Sequence, residues 1–170
     1  AYERRPVSVA LRASSPYRSA LSVGAGSGIA VEPGGRIALE SAVSMDVAGR
    51  LSAPGGQVVA SVGRPPGSTE EYRGFRGTQG LYVAPGAEVS VDGVDATERG
   101  PAGRILGSVL PGGSISFDAW DGYLVLDAGS RFSARGTSGT VLAPTLDGPQ
   151  AGAIERVVPT AGGTVRFGAT

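Results

Sequence analysis

Carboxylates next to aromatic side chains are the residues of this sequence that could do chemistry. Two segments combine them, Phe117–Tyr123 (FDAWDGY) and Glu70–Arg76 (EEYRGFR). A pair of carboxylates can hydrolyse a glycosidic bond when the two groups converge to roughly 5–9 Å, and aromatic rings offer an apolar surface for stacking. The candidate acids of such a carbohydrate-active enzyme, a polysaccharide lyase or hydrolase, are Asp118, Asp121, Glu70 and Glu71.

A structural interpretation competes with this one and is the one we favour. Asp121-Gly122 is a dipeptide typical of a tight turn between two alternating apolar strands. In that case Asp118 is solvent-facing at a strand end and Trp120 caps the corner. We therefore expect the chain not to be an enzyme.

The segment Glu70–Arg76 interleaves two aromatic residues with charges of both signs. This composition suits contact with a protein or a glycan, but the same loop could instead pack against the rest of the domain. The candidate contact residues are Tyr72, Arg73, Phe75, Arg76 and Trp120.

The composition excludes several classes of function. The chain of 170 residues has no His and no Cys, and its 15 basic residues are all Arg. It therefore has no Ser-His-Asp triad, no catalytic Lys and no thiolate. Because 15 acidic residues balance the charge, we expect no nucleic-acid partner. We also expect no cofactor and no metal: Asp92, Asp95 and Glu98 offer oxygen ligands, but such runs are usually solvated surface.

Two short repeats alternate along the chain and dominate its organisation. The first has the form L-x-V, a glycine turn, then a second alternating strand. It occurs at Leu21–Val31, Met45–Ala53, Leu81–Val91 and Leu124–Ala134. The second is a PGG or AGG turn followed by an alternating strand, at Pro33–Leu39, Pro54–Ala60, Pro111–Phe117 and Ala161–Phe167.

This alternation predicts an all-β fold, a parallel β-solenoid in which each coil has three strands. Residues 1–170 would form one segment, and Pro6–Ala13 would be the third strand of a preceding coil. The inserts Gly63–Gly80, Asp92–Val109 and Gly136–Thr160 would be loops at corners, with at most one helical turn at Ala151–Arg156. Because alternation does not fix strand direction, a β-sandwich or barrel with antiparallel ladders stays open.

The repeats resemble the shaft of the filamentous haemagglutinin family, the large exoproteins of two-partner secretion in Gram-negative bacteria. The resemblance covers about residues 5 to 170. It implies a right-handed parallel β-helix that an outer-membrane transporter exports to the medium or the cell surface, with roles in adhesion, biofilm formation or contact-dependent competition. The family's Asn-Pro-Asn secretion motifs are absent, and the chain has no Asn to form an asparagine ladder.

The expected function is therefore structural and adhesive. The chain would be an internal fragment of a longer exoprotein, joined to the rest of its β-helix at both ends. It would act as a rigid spacer whose surface loops contact a protein or glycan on a host or bacterial surface. The alternative is the carbohydrate-active enzyme described above.

Overall fold

The described part of the chain is built from β-strands. The computed structural model describes residues 5–15, 18–63, 76–100, 104–144 and 153–169, and no helix occurs in these ranges. The described residues accordingly include no helix that could cross a membrane. In chain order the strands are β1 Val9–Ala13, β2 Ala20–Val23, β3 Gly28–Ala30, β4 Arg36–Ser41, β5 Ser44–Val47, β6 Arg50–Ser52, β7 Gln57–Val62, β8 Gly80–Val83, β9 Glu88–Ser90, β10 Val94–Arg99, β11 Ile105–Leu110, β12 Ser114–Ala119, β13 Tyr123–Leu126, β14 Arg131–Ser133, β15 Ser138–Pro144, β16 Ala153–Pro159 and β17 Thr164–Ala169.

Thirteen of these strands form three parallel sheets. Sheet A has the order β1-β4-β7-β12-β17, sheet B the order β2-β5-β8-β13 and sheet C the order β3-β6-β9-β14. After β1 the chain visits sheets B, C and A in turn four times, and we call each such set of three strands a repeat. Neighbouring repeats pair in parallel throughout, so the antiparallel sandwich or barrel is wrong.

The register confirms the sequence alignment of the repeats residue by residue. In sheet B the aligned set is Leu21, Met45, Leu81 and Leu124. In sheet C it is Ile29, Leu51, Val89 and Phe132, and in sheet A it is Ile37, Val58, Ile115 and Val165. The predicted extra strand near the N-terminus is also confirmed, because β1 pairs in parallel with β4.

The core consists of these aligned side chains, which all point to one face of their sheets because successive residues of a strand alternate. Ile37, Leu81 and Phe117, whose strands have a paired strand on both sides, are fully buried. The terminal strands are more open, and Leu11 in β1 is 43% exposed and Phe167 in β17 is 41% exposed. Each repeat is therefore buried by its neighbours on both sides.

A column of glycines forms the corner between sheets C and A. Gly35, Gly56, Gly113 and Gly163 occupy the position just before the sheet A strands β4, β7, β12 and β17. A Cβ on Gly113 would overlap the carbonyl oxygen of Gly56, and the same overlap recurs at each step of the column. The backbone approaches closely here because the stacked repeats hydrogen-bond at this point, as in Ser114 N–H to Gly56 O (3.0 Å) and Thr164 N–H to Gly113 O (3.0 Å).

Two of the predicted corner loops are β-hairpins, which corrects the sequence interpretation. The insert Asp92–Val109 contains most of the antiparallel pair β10–β11, and Gly136–Thr160 contains the pair β15–β16. The helical turn considered at Ala151–Arg156 is wrong for its described part, since β16 begins at Ala153. Both hairpins leave at the corner between sheets C and A, as expected for corner insertions. Residues 64–75 of the third insert lie outside the described residues.

The two hairpins pack against each other because they leave the same corner in consecutive repeats. Gly139 of β15 is buried against Asp95 and Val109 of the first hairpin, without space for a Cβ. Arg99 and Glu155 form an ion pair between the hairpins at 2.8 Å. The inserts thus form a second layer of antiparallel strands beside the parallel sheets.

The glycine column yields a stability prediction. Gly113→Ala should lower the free energy of unfolding by about 3 kcal/mol or more, because a methyl group would push apart two hydrogen-bonded backbones. Gly24→Ala is the matched control: nothing lies within 4 Å of its Cβ position, so its effect should stay within about 1 kcal/mol. Urea unfolding followed by circular dichroism measures both. Equal midpoints for Gly113→Ala and wild type would contradict the proposed role of the column.

Candidate functional site

The corner between sheets A and B brings together the two described members of the predicted contact set. The backbone N–H of Arg76 donates to the carbonyl oxygen of Asp121 at 2.7 Å. Trp120 precedes Asp121, and its carbonyl oxygen accepts a hydrogen bond from Nε2 of the buried Gln79 at 2.5 Å. Arg76 lies in the connection from repeat 2 to repeat 3 and Trp120 in the connection from repeat 3 to repeat 4, so the two residues occupy the same corner in adjacent repeats.

The remaining contact residues Tyr72, Arg73 and Phe75 lie outside the described residues. Arg76 is exposed, and Trp120 is half-buried at the start of the corner, as predicted for a residue that caps it. The N–H of Trp120 donates to the carbonyl of Val62 at 2.9 Å, which continues the parallel ladder into the corner.

The acidic candidates of the enzyme hypothesis have separate surroundings. Asp121 lies in the turn with φ 56°, as its Asp-Gly dipeptide predicted. Asp118 points away from the core, but its side chain is only 13% exposed, so the expected solvent-facing carboxylate is wrong. Gly168 on the next strand has no side chain, and Oδ1 of Asp118 occupies the place that a Cβ there would need.

Asp118 has two polar neighbours on the outer face of sheet A. The Ser116 hydroxyl donates to Oδ2 at 2.7 Å, and Nη2 of Arg166 lies 3.5 Å from Oδ1. Oδ1 itself is buried without a hydrogen-bond partner. Because Glu70 and Glu71 lie outside the described residues, the enzyme alternative stays a prediction.

Asp92, considered above as a metal ligand, instead joins the bases of the two hairpins. Its Oδ1 accepts hydrogen bonds from the Ser133 hydroxyl at 2.5 Å and from the Arg135 N–H at 2.6 Å. Burial raises the pKa of Asp92, but these hydrogen bonds and the Arg135 charge outweigh it, so the net pKa lies below the ordinary value. Among the described residues no three or more acidic side chains group as metal ligands would.

The outer face of sheet B carries a cleft between two tyrosines. Tyr82 and Tyr123 belong to adjacent strands and point away from the core, and Gly80, two residues before Tyr82, pairs with Tyr123. Further residues line this cavity of ≈ 180 Å³, namely Ser44, Gly77, Thr78, Gln79, Leu81 and Val125. We did not single out Tyr82 from the sequence, and we included Tyr123 only as the last residue of the segment Phe117–Tyr123. The sequence does contain a signal for them: the aligned outward positions of the earlier repeats hold small or acidic residues, so tyrosines there are unusual. These residues are Ala20, Ser22, Ser44 and Asp46.

Tyr82 is fixed in this cleft by a carboxylate. Its hydroxyl donates to Oδ2 of Asp127 at 2.6 Å. This hydrogen bond, with smaller effects of desolvation and of the charges of Asp127 and Asp46, raises the pKa of Tyr82. The same hydrogen bond, helped by the N–H of Ala128, lowers the pKa of Asp127.

A second concave feature runs beside the glycine column. This open groove of ≈ 690 Å³ is lined by the stacked glycines and by the first outward residues of the sheet A strands, Arg36, Gln57, Ser114 and Thr164. Its walls are mostly backbone and short side chains, so it offers little apolar surface to a ligand.

Comparison with family models, with curated proteins and with solved structures gives no match for this chain.

The Tyr82–Asp127 hydrogen bond predicts a window of pH-dependent stability. Because the pKa of Asp127 is lowered in the folded state, its contribution is complete above the unfolded pKa of about 4 and is lost as the pH falls through the folded pKa. Because the pKa of Tyr82 is raised, its contribution is complete below about 10 and is lost as the pH rises through the folded pKa.

Tyr82→Phe should therefore lower the urea midpoint of unfolding between about pH 5 and 9 and have little effect at either extreme. The difference between wild type and variant, measured across the pH range, isolates the pair from other titrating groups. A constant difference at every pH would show that the hydroxyl acts only through packing.

Proposed function

We propose that this chain is a rigid β-helical segment of a secreted or cell-surface exoprotein, with a structural and adhesive role. In this proposal sheets A, B and C close into a right-handed parallel β-helix around one core. The observation that carries it is the conserved register: aligned side chains pack inward in all four repeats although the connections between them differ greatly in length. Only a stacked architecture keeps such a register across long insertions.

The resemblance to the filamentous haemagglutinin family supports the same proposal. The units that carry it, L-x-V with a glycine turn and PGG with an alternating strand, coincide with the strands of the three parallel sheets. In that family context the partners would be an outer-membrane transporter during export and, at both ends, the rest of the β-helix. The working location would be the medium or the bacterial surface.

The contact function belongs in this proposal to the corners and outer faces, because the inward positions are filled by the core. The corner at Arg76 and Trp120 is the best placed region for contact with a protein or glycan on a host or bacterial surface. It combines an exposed cation with a half-buried indole, a pairing that is enriched at interfaces.

Beads coated with the purified protein should bind bacterial or host epithelial cells. The double variant Arg76→Ala/Trp120→Ala should reduce the number of bound beads about tenfold, because interface energy concentrates in Trp and Arg side chains. Flow cytometry with fluorescent beads gives the count.

Val157→Ala is the control, since Val157 is 65% exposed on a hairpin at another corner and its truncation should leave binding unchanged. Urea midpoints verify that each variant is folded. If wild-type beads bind neither bacteria nor host cells above uncoated beads, the adhesive part of the proposal is wrong and a spacer role alone is left.

A further inference from the structure

We propose that the cleft between Tyr82 and Tyr123 binds a single pyranose ring of a cell-surface saccharide. This inference rests on the proposed adhesive function and supplies its ligand class and its site. The cleft adjoins the corner of Arg76 and Trp120, since Gly77, Thr78 and Gln79 also line it, but its two tyrosines lie on the outer face of sheet B.

The first support is an exposed apolar patch confined to repeats 3 and 4. Tyr123 is 50% exposed and Val125 is 44% exposed, and Tyr82 lies beside Val125 in the register. The aligned outward positions of repeats 1 and 2 hold only small or acidic residues. Core packing does not require aromatic side chains on this face, because the alternate residues Leu81 and Val83 fill the interior.

The second support is the shape of the cleft. Gly80 forms its floor: a Cβ there would lie 3.2 Å from the carbonyl oxygen of Tyr123 and 3.5 Å from its Cβ. The cavity of ≈ 180 Å³ is smaller than the roughly 300–1,000 Å³ of sites for drug-sized ligands. One six-membered ring fits such a volume, with the rest of a longer chain left in solvent.

The third support is the hydrogen-bonding chemistry around the rings. The Tyr82 hydroxyl already donates to Asp127, and Asp46 lies beside Tyr82 in the register of β5 and β8, next to the Ser44 that lines the cleft. The neighbourhood therefore offers carboxylate acceptors beside an apolar ring surface. A pyranose matches it, because one face of the sugar presents C–H groups to an aromatic ring while its hydroxyls donate to carboxylates.

A proline-rich peptide is the main competing ligand of an aromatic cleft. Its prolines present carbonyl acceptors and no N–H donors. Carboxylates do not pair with carbonyl oxygens, and the Tyr82 hydroxyl, which could have donated to one, is engaged with Asp127. The chemistry of the cleft thus favours the saccharide.

The test is a titration of the 170-residue chain, labelled with nitrogen-15, with the methyl pyranosides of glucose, galactose, mannose and N-acetylglucosamine. A proline-rich decapeptide serves as the second probe. We expect at least one pyranoside to shift the amide resonances of Gly80, Tyr82 and Tyr123 with a millimolar dissociation constant, as suits a ligand of one ring. Saturation transfer from the protein to the sugar C–H protons should identify the stacked face.

Two variants remove the cleft in different ways. Tyr123→Ala deletes one wall and should weaken the binding about tenfold or more. Gly80→Ala places a methyl group on the floor of the cleft and requires the backbone of Tyr123 to move by only a few tenths of an ångström. It should also weaken the binding about tenfold or more. Val157→Ala, which truncates an exposed side chain on the second hairpin, should bind as wild type does, and urea midpoints identify any variant that unfolds.

Three results would overturn the inference: no pyranoside binds the wild type, binding survives both cleft variants, or the peptide binds the cleft and the pyranosides do not. Each can be separated from failure of the adhesive function. Cell binding by coated beads without pyranoside binding rejects the cleft alone. Pyranoside binding at the cleft by a protein that adheres to no cell supports the cleft and rejects the adhesive role.

Discussion

In-register backbone stacking at the glycine corner is the constraint on which the rest of this structure depends. The carbonyl oxygen of each corner glycine accepts a hydrogen bond from the residue that follows the next glycine, as Gly35 does from Gln57 at 3.0 Å. A side chain at the corner would separate the backbones and break the ladder. A shift of one residue would turn the inward side chains of that strand to solvent. The corner glycines therefore maintain a register that the hydrophobic core requires.

The core follows from this register as a set of side-chain columns in which each member is covered by its neighbours above and below. Inner members such as Met45 and Val58 are inaccessible to solvent, whereas the outermost strands are open. At the C-terminal end the column positions change to aromatic residues: Phe132 and Phe167 meet edge to face at a centroid distance of 4.9 Å, and Phe117 packs 5.5 Å from Phe132. These three rings pack against one another within the last two repeats.

Much of the fold could be predicted because each stacked repeat needs the same short pattern of apolar residues and glycines, which therefore recurs several times in the sequence. Leu21, Met45, Leu81 and Leu124 were aligned correctly from local sequence alone, since each starts the same alternation. The hairpins could not be found this way, because β10–β11 and β15–β16 occur once each and their packing depends on two corners that meet only in three dimensions. The sequence predicted the correct face for Asp118 but too much exposure. Its carboxylate is buried because it lies over Gly168, which has no side chain and belongs to a strand far away in the sequence.

The candidate site was harder to predict for a related reason. The repeat pattern constrains only the residue types at inward positions. The outward residues follow no pattern in the sequence, and only the strand register shows which of them are neighbours. Tyr123 is far in the sequence from Gly80 and Tyr82, yet the pairing of β8 with β13 places it directly beside Gly80 and makes the three residues a floor and two walls.

The same separation of inward and outward positions explains where a contact function can arise at small cost. Replacing Ser or Asp by Tyr at an outward position of sheet B leaves the buried columns untouched, because alternate residues of a strand face opposite sides. The replacement costs only the exposure of apolar surface, which a bound ring would cover. The inward and corner positions have no such freedom, since a single methyl group at Gly113 collides with the backbone of the repeat beside it. Binding surfaces in this architecture are therefore expected on outer faces and corner insertions, while the pattern of inward apolar residues and corner glycines stays constant.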